Sequence, residues 1–235
     1  MSGTLYGIGV GPGDPDLMTL KAARLLDRLT VVAYPAPDHG ESFARAIAAG
    51  HLRHDVTEIP MVVPMRTNRY PAQDVYAAAV TEITAHLEGG VDVGVLCEGD
   101  PFFYGSFMYL HARLSGKHII EVVPGVSSLG ACAAALGWPL AARNEALTIL
   151  PGPLADAELR PRIEAAEAVA ILKVGRHLTR LRALIDAMGL TGRAGYVAHA
   201  SLPACRALPL KEAPVEAPYF SMLLIYRGED PWLTR

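Results

Sequence analysis

Short apolar runs alternate with amphipathic segments through the first half of the chain. Runs rich in Val, Ile and Leu predict buried strands, and the segments between them have the three-to-four-residue spacing of helices. The predicted strands are Leu5–Val10, Val31–Tyr34, Val56–Ile59, Val91–Leu96 and Ile119–Val123, and the predicted helices are Leu17–Asp27, Ser42–Ala49, Ala72–Glu88 and Ser106–Ser115. This alternation is typical of helices that cover a mostly parallel sheet.

A second series of elements begins after Pro124. It predicts helices over Ser127–Leu136, Pro161–Glu167 and His177–Met188, and strands over Leu147–Leu150, Val169–Lys173, Ala194–His199, Arg206–Leu208 and Tyr219–Tyr226. The last three strands have no long helices between them, which is the spacing of an antiparallel meander. We therefore predict two α/β domains, residues 1–124 and 125–235, with the more mixed sheet in the second.

Three glycine-containing turns follow predicted strands of the first domain. They are Gly7-Ile8-Gly9-Val10-Gly11-Pro12-Gly13-Asp14, Cys97-Glu98-Gly99-Asp100-Pro101-Phe102-Phe103-Tyr104-Gly105 and Pro124-Gly125-Val126-Ser127-Ser128. The first fits neither a dinucleotide fingerprint nor a Walker loop. Its alternating glycines can nevertheless leave backbone amides close to a ligand, and in the second Asp100 offers an acceptor for a hydroxyl or ammonium group. Open α/β sheets bind ligands at the carboxyl ends of their strands, so the turns predict a ligand site.

Two further features allow more than one interpretation. Ser127 or Ser128 could cap a helix or could contact a ligand. At the junction Leu172-Lys173-Val174-Gly175-Arg176, either basic side chain could hold a carboxylate, or the turn could be a solvated basic loop.

Composition narrows the function classes. The formal net charge of -3, with Lys and Arg scattered along the chain, gives no indication of nucleic-acid binding. The three cysteines lack metal-ligand spacing and fit a reduced, cytoplasmic protein, and we predict no bound metal. The first residues lack the pattern of a signal peptide. The uncharged stretch Val122–Ala142 is broken by proline and glycine, so we expect no membrane span.

The three turns, in this order, resemble those of the tetrapyrrole methylases, the S-adenosylmethionine-dependent enzymes of corrin and sirohaem biosynthesis. The similar segments are Gly9–Thr19, Glu98–Pro101 with Tyr104-Gly105, and Pro124–Ser128, within a correspondence that runs from about Thr4 to Tyr226. Within that family, Cys97–Phe107, Val32–Pro35 and the Arg66–Tyr76 region look like the branch that methylates carbon 20 of precorrin-2.

The resemblance implies a two-lobe α/β fold, each lobe a mixed sheet flanked by helices, with the active site in the cleft between the lobes. It also implies a homodimer and S-adenosylmethionine as the methyl donor. The cofactor-binding residues that it implies are Glu98, Gly99, Asp100, Phe103, Ser127, Ser128, Val174 and Ala200. Gly11, Pro12 and Gly13 would form the floor under the tetrapyrrole. Arg66, Arg69, Arg113 and Arg143 are candidates for the substrate carboxylates, although each could equally lie on a solvated face.

One departure from the family concerns catalysis. The uroporphyrinogen methylases of sirohaem synthesis have an acidic residue after the second strand, where this chain has Pro35, so no general base is assigned. A sulfonium methyl group is already activated, and the meso carbon is electron-rich, so alignment and exclusion of water are the main requirements. The alternatives are the same reaction on cobalt-factor II, more remotely another tetrapyrrole methylase or a diphthine synthase, and a binding module without activity.

Overall fold

The computed structural model describes residues 2–63 and 70–229. By its internal contacts the chain divides into two compact units, Met1–Ser127 and Ser128–Arg235. The boundary predicted from the sequence lies three residues earlier, at the start of the turn that follows the last strand of the first unit.

The first unit alternates strands and helices. Its strands are β1 (Thr4–Gly9), β2 (Val31–Ala36), β3 (Thr57–Val62), β4 (Val93–Cys97) and β5 (Ile119–Val123), and its helices are α1 (Leu20–Leu26), α2 (Phe43–Ala48), α3 (Tyr70–Glu88) and α4 (Phe107–Leu114). The sheet order is β3-β2-β4-β1-β5, and every pairing is parallel. The mixed character expected of both sheets is therefore confined to the second one.

The inner strands β1 and β4 are buried on both faces, which explains their continuous apolar runs, whereas the edge strands β3 and β5 are partly exposed. On one face, Leu5 and Val95 pack with Ile83 of α3 and Phe107 of α4. On the other face, Ile8, Val32 and Leu96 pack with residues of α1 and α2. The two cores hold the carboxyl ends of the central strands β4 and β1 in fixed register, with Gly9 opposite Cys97.

The second unit has a mixed sheet. Its strands are β6 (Leu147–Pro151), β7 (Ala168–Leu172), β8 (Ala194–Ala198), β9 (Arg206–Pro209) and β10 (Ser221–Tyr226), and its helices are α5 (Ser128–Leu136), α6 (Asp156–Glu164) and α7 (Leu178–Ala187). The core contains Leu159 and Ile163 of α6 and Leu181 and Ile185 of α7, packed with the strands. Helix α5 contacts β8, β9 and β10.

The predicted meander is wrong in its strand order. The sheet order is β6-β7-β10-β8-β9, so β10 lies between β7 and β8 and does not pair with β9. It is antiparallel to both neighbours, whereas β6 and β7 are parallel. Strands β7 and β8 therefore point the same way, and the loops that follow them emerge at the same edge of the sheet.

Two predicted helices differ at their ends. Residues Pro15–Leu17 form a separate 3-10 turn, and α1 begins only at Leu20 because the Thr19 side chain accepts a bond from the amide of Ala22. The helix predicted to begin at Pro161 instead begins at Asp156 and contains Pro161. Because a proline is most favourable in the first helical turn, the predicted helix was started at Pro161, and this start is wrong.

In the described ranges, no helix combines the length and the apolar character needed to cross a membrane.

Candidate active site

The three glycine turns emerge side by side from the first sheet. Strand β1 lies between β4 and β5, with Gly9 opposite Cys97 and Ile8 opposite Val123. The first turn follows β1, the second follows β4 and the third follows β5. The parallel register therefore brings together at one edge the turns that the sequence singled out.

The first two turns are joined through their backbones. The amide of Gly99 donates to the carbonyl of Gly11 at 2.8 Å, and the amide of Gly11 donates back to the carbonyl of Gly99 at 3.4 Å. Both glycines are in the left-handed region, with φ of +85° at Gly11 and +65° at Gly99. A side chain is disfavoured in this conformation, so the bridge between the turns depends on glycine at both positions.

The third turn packs directly on the other two. A Cβ added to Gly125 would lie 1.9 Å from the carbonyl oxygen of Gly99, and one added to Gly9 would lie 2.5 Å from the amide nitrogen of Gly125. Neither side chain can be accommodated unless the backbone moves. The glycines of the three motifs thus allow three segments of backbone to approach within van der Waals contact.

Gly99 differs from these packed glycines. The one atom within 4 Å of a Cβ added there is the carbonyl oxygen of Val126, at 3.9 Å. The space beside the Gly99 backbone can therefore accept part of a bound molecule. A turn that binds a ligand through its backbone requires such free space.

Asp100 connects the second turn to the third. Its Oδ1 atom accepts a hydrogen bond from the amide of Phe102 at 2.9 Å, and its Oδ2 atom accepts one from the amide of Gly125 at 3.0 Å. The sequence suggested that this carboxylate would accept a bond from a ligand. The structure gives it a role in holding the turns, with lone pairs remaining on both oxygens for a further donor.

Glu98 lies on the α2 side of the same edge. Burial raises the pKa of its carboxyl group, and a bond from the backbone amide of Ala44, in the first turn of α2, opposes that shift. The side chain is half-buried. Glu98 is therefore a carboxyl group of raised pKa next to the Gly99 backbone, among the residues implied as cofactor contacts.

Phe103 and its neighbours form an aromatic group beside the turn. The rings of Phe103 and Tyr104 are edge-to-face with centroids 5.2 Å apart. Phe102 contacts Phe107 and His111, with centroid distances of 5.9 and 5.2 Å. Two of these rings, Phe102 and Tyr104, are 47% and 43% exposed, so the turn presents an aromatic surface next to its polar backbone.

The predicted substrate contacts are placed unequally. Gly11, Pro12 and Gly13 are buried in the first turn. Arg113 lies in the last turn of α4, away from the β4 turn where that helix begins, and its guanidinium donates to the carbonyl of Tyr109 at 2.9 Å. The structure does not bring Arg113 to the three turns. Arg66 and Arg69 lie outside the described residues.

The remaining predicted contacts belong to other parts of the chain. Ser127 is the last residue of the first unit, and Ser128 begins α5 in the second. Arg143 is an exposed residue of the loop before β6. Val174 and Ala200 are buried and follow β7 and β8, so they emerge at one edge of the second sheet.

That edge of the second sheet has unusual backbone conformations. Lys173, His199 and Ser201 have φ of 57°, 51° and 66° although none is glycine. The amide of His199 donates to the carbonyl of Phe220 at 3.0 Å, and the amide of Gly175 donates to Ser221 Oγ at 3.3 Å. Left-handed non-glycine residues concentrate at functional sites, which makes the loops after β7 and β8 the part of the second unit best suited to contact a ligand.

The structure also contains a polar group that the sequence did not indicate. Tyr34 Oη donates to Glu58 at 2.6 Å, and Arg45 donates to both oxygens of the same carboxylate at 3.1 and 3.0 Å. Burial and the bond to Glu58 raise the pKa of Tyr34 to about 12. The group lies beside Pro35 and joins β2, β3 and α2; it could not be found without the pairing of β2 with β3.

Two further observations concern the Cys97 thiol and the side chains that could ligate a metal. Cys97 is buried, and burial raises the pKa of its thiol, which opposes formation of the reactive thiolate. Within residues 2–63 and 70–229, no three His, Cys, Asp or Glu side chains are grouped as a metal site would require.

Comparison with known proteins identifies the same family that the three turns resemble. The family model of Tetrapyrrole (Corrin/Porphyrin) Methylases matches residues 4–214. The cobalamin biosynthesis protein CobIJ of Mycobacterium tuberculosis is 42% identical over 96% of this chain, but the match covers 46% of that protein. The chain therefore spans about half the length of the CobIJ proteins that it matches.

Other relatives correspond along their whole length. A precorrin-2 C(20)-methyltransferase from a Sinorhizobium species is 40% identical, with 97% of each chain covered. A cobalt-precorrin-2 C(20)-methyltransferase from Salmonella typhimurium is 31% identical, covering 96% of this chain and 97% of that one.

Among solved structures, the cobalt precorrin-4 methyltransferase CbiF has the same fold. It superposes with a TM-score of 0.72 over 95% of this chain and 94% of that chain, at 22% identity. With the family model matched over most of its length and the glycine turns assembled at one edge of the first sheet, the chain belongs to the tetrapyrrole methylase family.

Proposed function

We propose that the chain transfers a methyl group from S-adenosylmethionine to the C-20 meso carbon of precorrin-2, giving precorrin-3A in cobalamin biosynthesis. The observation that carries the proposal is the 40% identity with the Sinorhizobium enzyme of that name over 97% of both chains. The three joined glycine turns, with open space beside Gly99, support it as a place where a cofactor is held through backbone atoms.

The residues of the second turn provide the groups that S-adenosylmethionine requires. The Gly99 backbone can approach the molecule, and the Asp100 and Glu98 carboxyl groups offer acceptors for its hydroxyl and ammonium groups. Phe103 provides an aromatic surface. From the second unit, the proposed contacts are Ser128 and the turns containing Val174 and Ala200; Ser127, at the end of the first, completes the set.

When bound, S-adenosylmethionine supplies a methyl group on positively charged sulfur, which needs no further activation. The task of the protein is to orient this methyl group towards the meso carbon and to exclude water. Rigid turns suit this task, because three segments of backbone fix one another through Gly11, Gly99 and Gly125. Transfer is direct, with no covalent enzyme intermediate, since the raised pKa of the buried Cys97 thiol makes it a poor nucleophile.

The carboxylate that would follow β2 in sirohaem-forming relatives is replaced by Pro35, and no general base is assigned. The neighbouring Glu58 already accepts bonds from Arg45 and Tyr34. In the proposed reaction the meso proton is lost to water or to a weak base. The substrate carboxylates are proposed to bind Arg66 and Arg69.

The second candidate is the same transfer to the cobalt-containing substrate. The Salmonella cobalt-precorrin-2 methyltransferase supports it with 31% identity, whereas the Sinorhizobium precorrin-2 methyltransferase is 40% identical. In both cases we propose a cytoplasmic homodimer with a largely apolar interface.

The test is incubation of the purified chain with S-adenosylmethionine and either precorrin-2 or its cobalt adduct, followed by mass spectrometry. We expect a product heavier by a net CH2, because the methyl group replaces the meso hydrogen, and we expect it to form faster from the metal-free substrate. Faster conversion of the cobalt adduct would favour the second candidate. Lack of methylation of both substrates, by protein that binds S-adenosylhomocysteine, would contradict both.

A further inference from the structure

Tyr104 has a backbone conformation that its side chain disfavours. Its φ is +56°, in the left-handed region, where the Cβ of any residue other than glycine crowds the following carbonyl group. Among the described residues of the first unit it is the one non-glycine residue with positive φ. It lies in the turn after β4, four residues after Asp100.

The surrounding turn enforces this conformation. Asp100 accepts bonds from the amides of Phe102 and Phe103, through Oδ1 at 2.9 Å and through its carbonyl at 3.3 Å. The chain then doubles back so closely that a Cβ on Gly105 would lie 2.5 Å from the carbonyl oxygen of Pro101. Residue 104 must therefore be left-handed, and Gly or Asn would adopt that conformation at lower cost.

Burial of the tyrosine ring does not offset this cost. The side chain is 43% exposed, so the hydrophobic gain is partial. Its ring is edge-to-face with that of Phe103, at a centroid distance of 5.2 Å and an interplanar angle of 77°. The left-handed backbone is what turns the ring of one residue back onto the ring of the residue before it.

We propose that Tyr104 is a positioning residue for the cofactor: its ring fixes the ring of Phe103, which contacts S-adenosylmethionine. This inference rests on the proposed function, because it takes the turn after β4 as a cofactor-binding turn. It adds a residue whose unfavourable backbone lies in a turn proposed to bind a ligand, as expected of strained residues at functional sites.

Three variants separate the ring from the backbone. Tyr104→Gly and Tyr104→Asn remove the ring and relieve the left-handed backbone, whereas Tyr104→Phe retains both. In calorimetry, we expect the first two variants to bind S-adenosylhomocysteine about tenfold more weakly than the wild type. An aromatic pair can change a dissociation constant by up to about tenfold. Their Tm should be unchanged or higher by up to about 3 °C. Tyr104→Phe should match the wild type in both measurements.

Tyr109 provides the matched control. It is a tyrosine of similar exposure, 46%, packed on Tyr76 at 5.3 Å, but it lies in the ordinary backbone of α4. Tyr109→Ala should lower Tm and leave the dissociation constant unchanged. The inference is overturned if the Gly and Asn variants lose Tm in parallel with affinity, if their affinity stays within about twofold, or if Tyr104→Phe binds as weakly as they do. Absence of binding by the wild-type chain would instead overturn the proposed cofactor.

Discussion

The two units present loops at the carboxyl ends of parallel strands in different ways. In the first, glycines let the turns after β1, β4 and β5 pack on one another backbone to backbone. In the second, the loops after β7 and β8 contain the left-handed non-glycine residues Lys173, His199 and Ser201. The packed glycines of the first unit gain close approach without strain, and Tyr104 is the exception beside them, whereas the second unit keeps side chains at positions where glycine would cost less. The comparison indicates that contact between backbones holds the turns of the first unit together, whereas the loops of the second unit retain side chains in left-handed conformations.

The largest expected effect comes from breaking the contact between turns. Gly125→Ala places a Cβ where the Gly99 carbonyl oxygen lies, at 1.9 Å. Backbone on both sides must move, so the free energy of unfolding should fall by about 2–4 kcal/mol in urea titrations. Binding of S-adenosylhomocysteine should be lost.

Gly130→Ala is the matched control for that change. Gly130 is inside α5, with nothing within 4 Å of an added Cβ. The substitution should raise the free energy of unfolding by about 0.5–1 kcal/mol, because alanine is the better helix former. If both alanine variants were equally stable, the close packing of the turns would be refuted.

A smaller effect is expected from removing the carboxylate that joins two turns. Asp100→Ala leaves the amides of Phe102 and Gly125 without their acceptor, so the free energy of unfolding should fall by about 2–3 kcal/mol. Asp14→Ala, which removes a bond to the exposed amide of Asp16, should cost only about 1 kcal/mol. Equal losses in the two variants would argue that Asp100 does not join the turns.

Two glutamates of the first unit should respond to pH in opposite directions. The bonds from Arg45 and Tyr34 lower the pKa of Glu58 from 4.5, so its stabilisation is present above pH 4.5 and is lost as the pH falls through the lowered value. Burial raises the pKa of Glu98, so its penalty develops as the pH rises from 4.5 through the raised value. At pH 7, Glu58→Gln should therefore lower the free energy of unfolding by about 1 kcal/mol, after allowance for exposure, and Glu98→Gln should raise it by a similar amount.

Urea titrations of both variants at pH 7 and pH 4 provide the check. Both differences from the wild type should shrink at the lower pH. A decrease in stability for Glu98→Gln at pH 7 would contradict the raised pKa of the Glu98 carboxyl group.

The smallest effect tests the second unit. Ser201→Gly removes the Cβ from a residue with φ of 66°. The free energy of unfolding should rise by about 0.5–1 kcal/mol, since relief of the backbone outweighs the greater freedom of glycine in the unfolded chain. Gly99→Ala, the opposite change in the first unit, should lower it by about 1–2 kcal/mol. Differences of the same sign would remove the distinction between the two units.

The sequence predicted the local features well. Apolar runs identified the strands of the first unit, and the runs are most continuous in β1 and β4, which are buried on both faces. The glycine turns were recognised from their spacing. These features depend on neighbours in the chain, which a single sequence records.

Features that depend on distant contacts could not be predicted. The insertion of β10 between β7 and β8 depends on pairing partners far away in the sequence. The dual hydrogen bonding of Asp100 requires the positions of two turns, which are 25 residues apart in the chain. Arg113 was selected by residue type alone, and its place in the last turn of α4 depends on how that helix leaves the β4 turn.

Methyl transfer to C-20 of precorrin-2 can be followed with a donor that carries ¹³C in its methyl group. The chain is incubated with this S-adenosylmethionine and precorrin-2, and the ¹³C spectrum of the product is recorded. We expect one new enriched methyl signal, assigned to the substituent on carbon 20. An enriched methyl group on a different carbon, or an unlabelled tetrapyrrole recovered from protein that binds the cofactor, would contradict it.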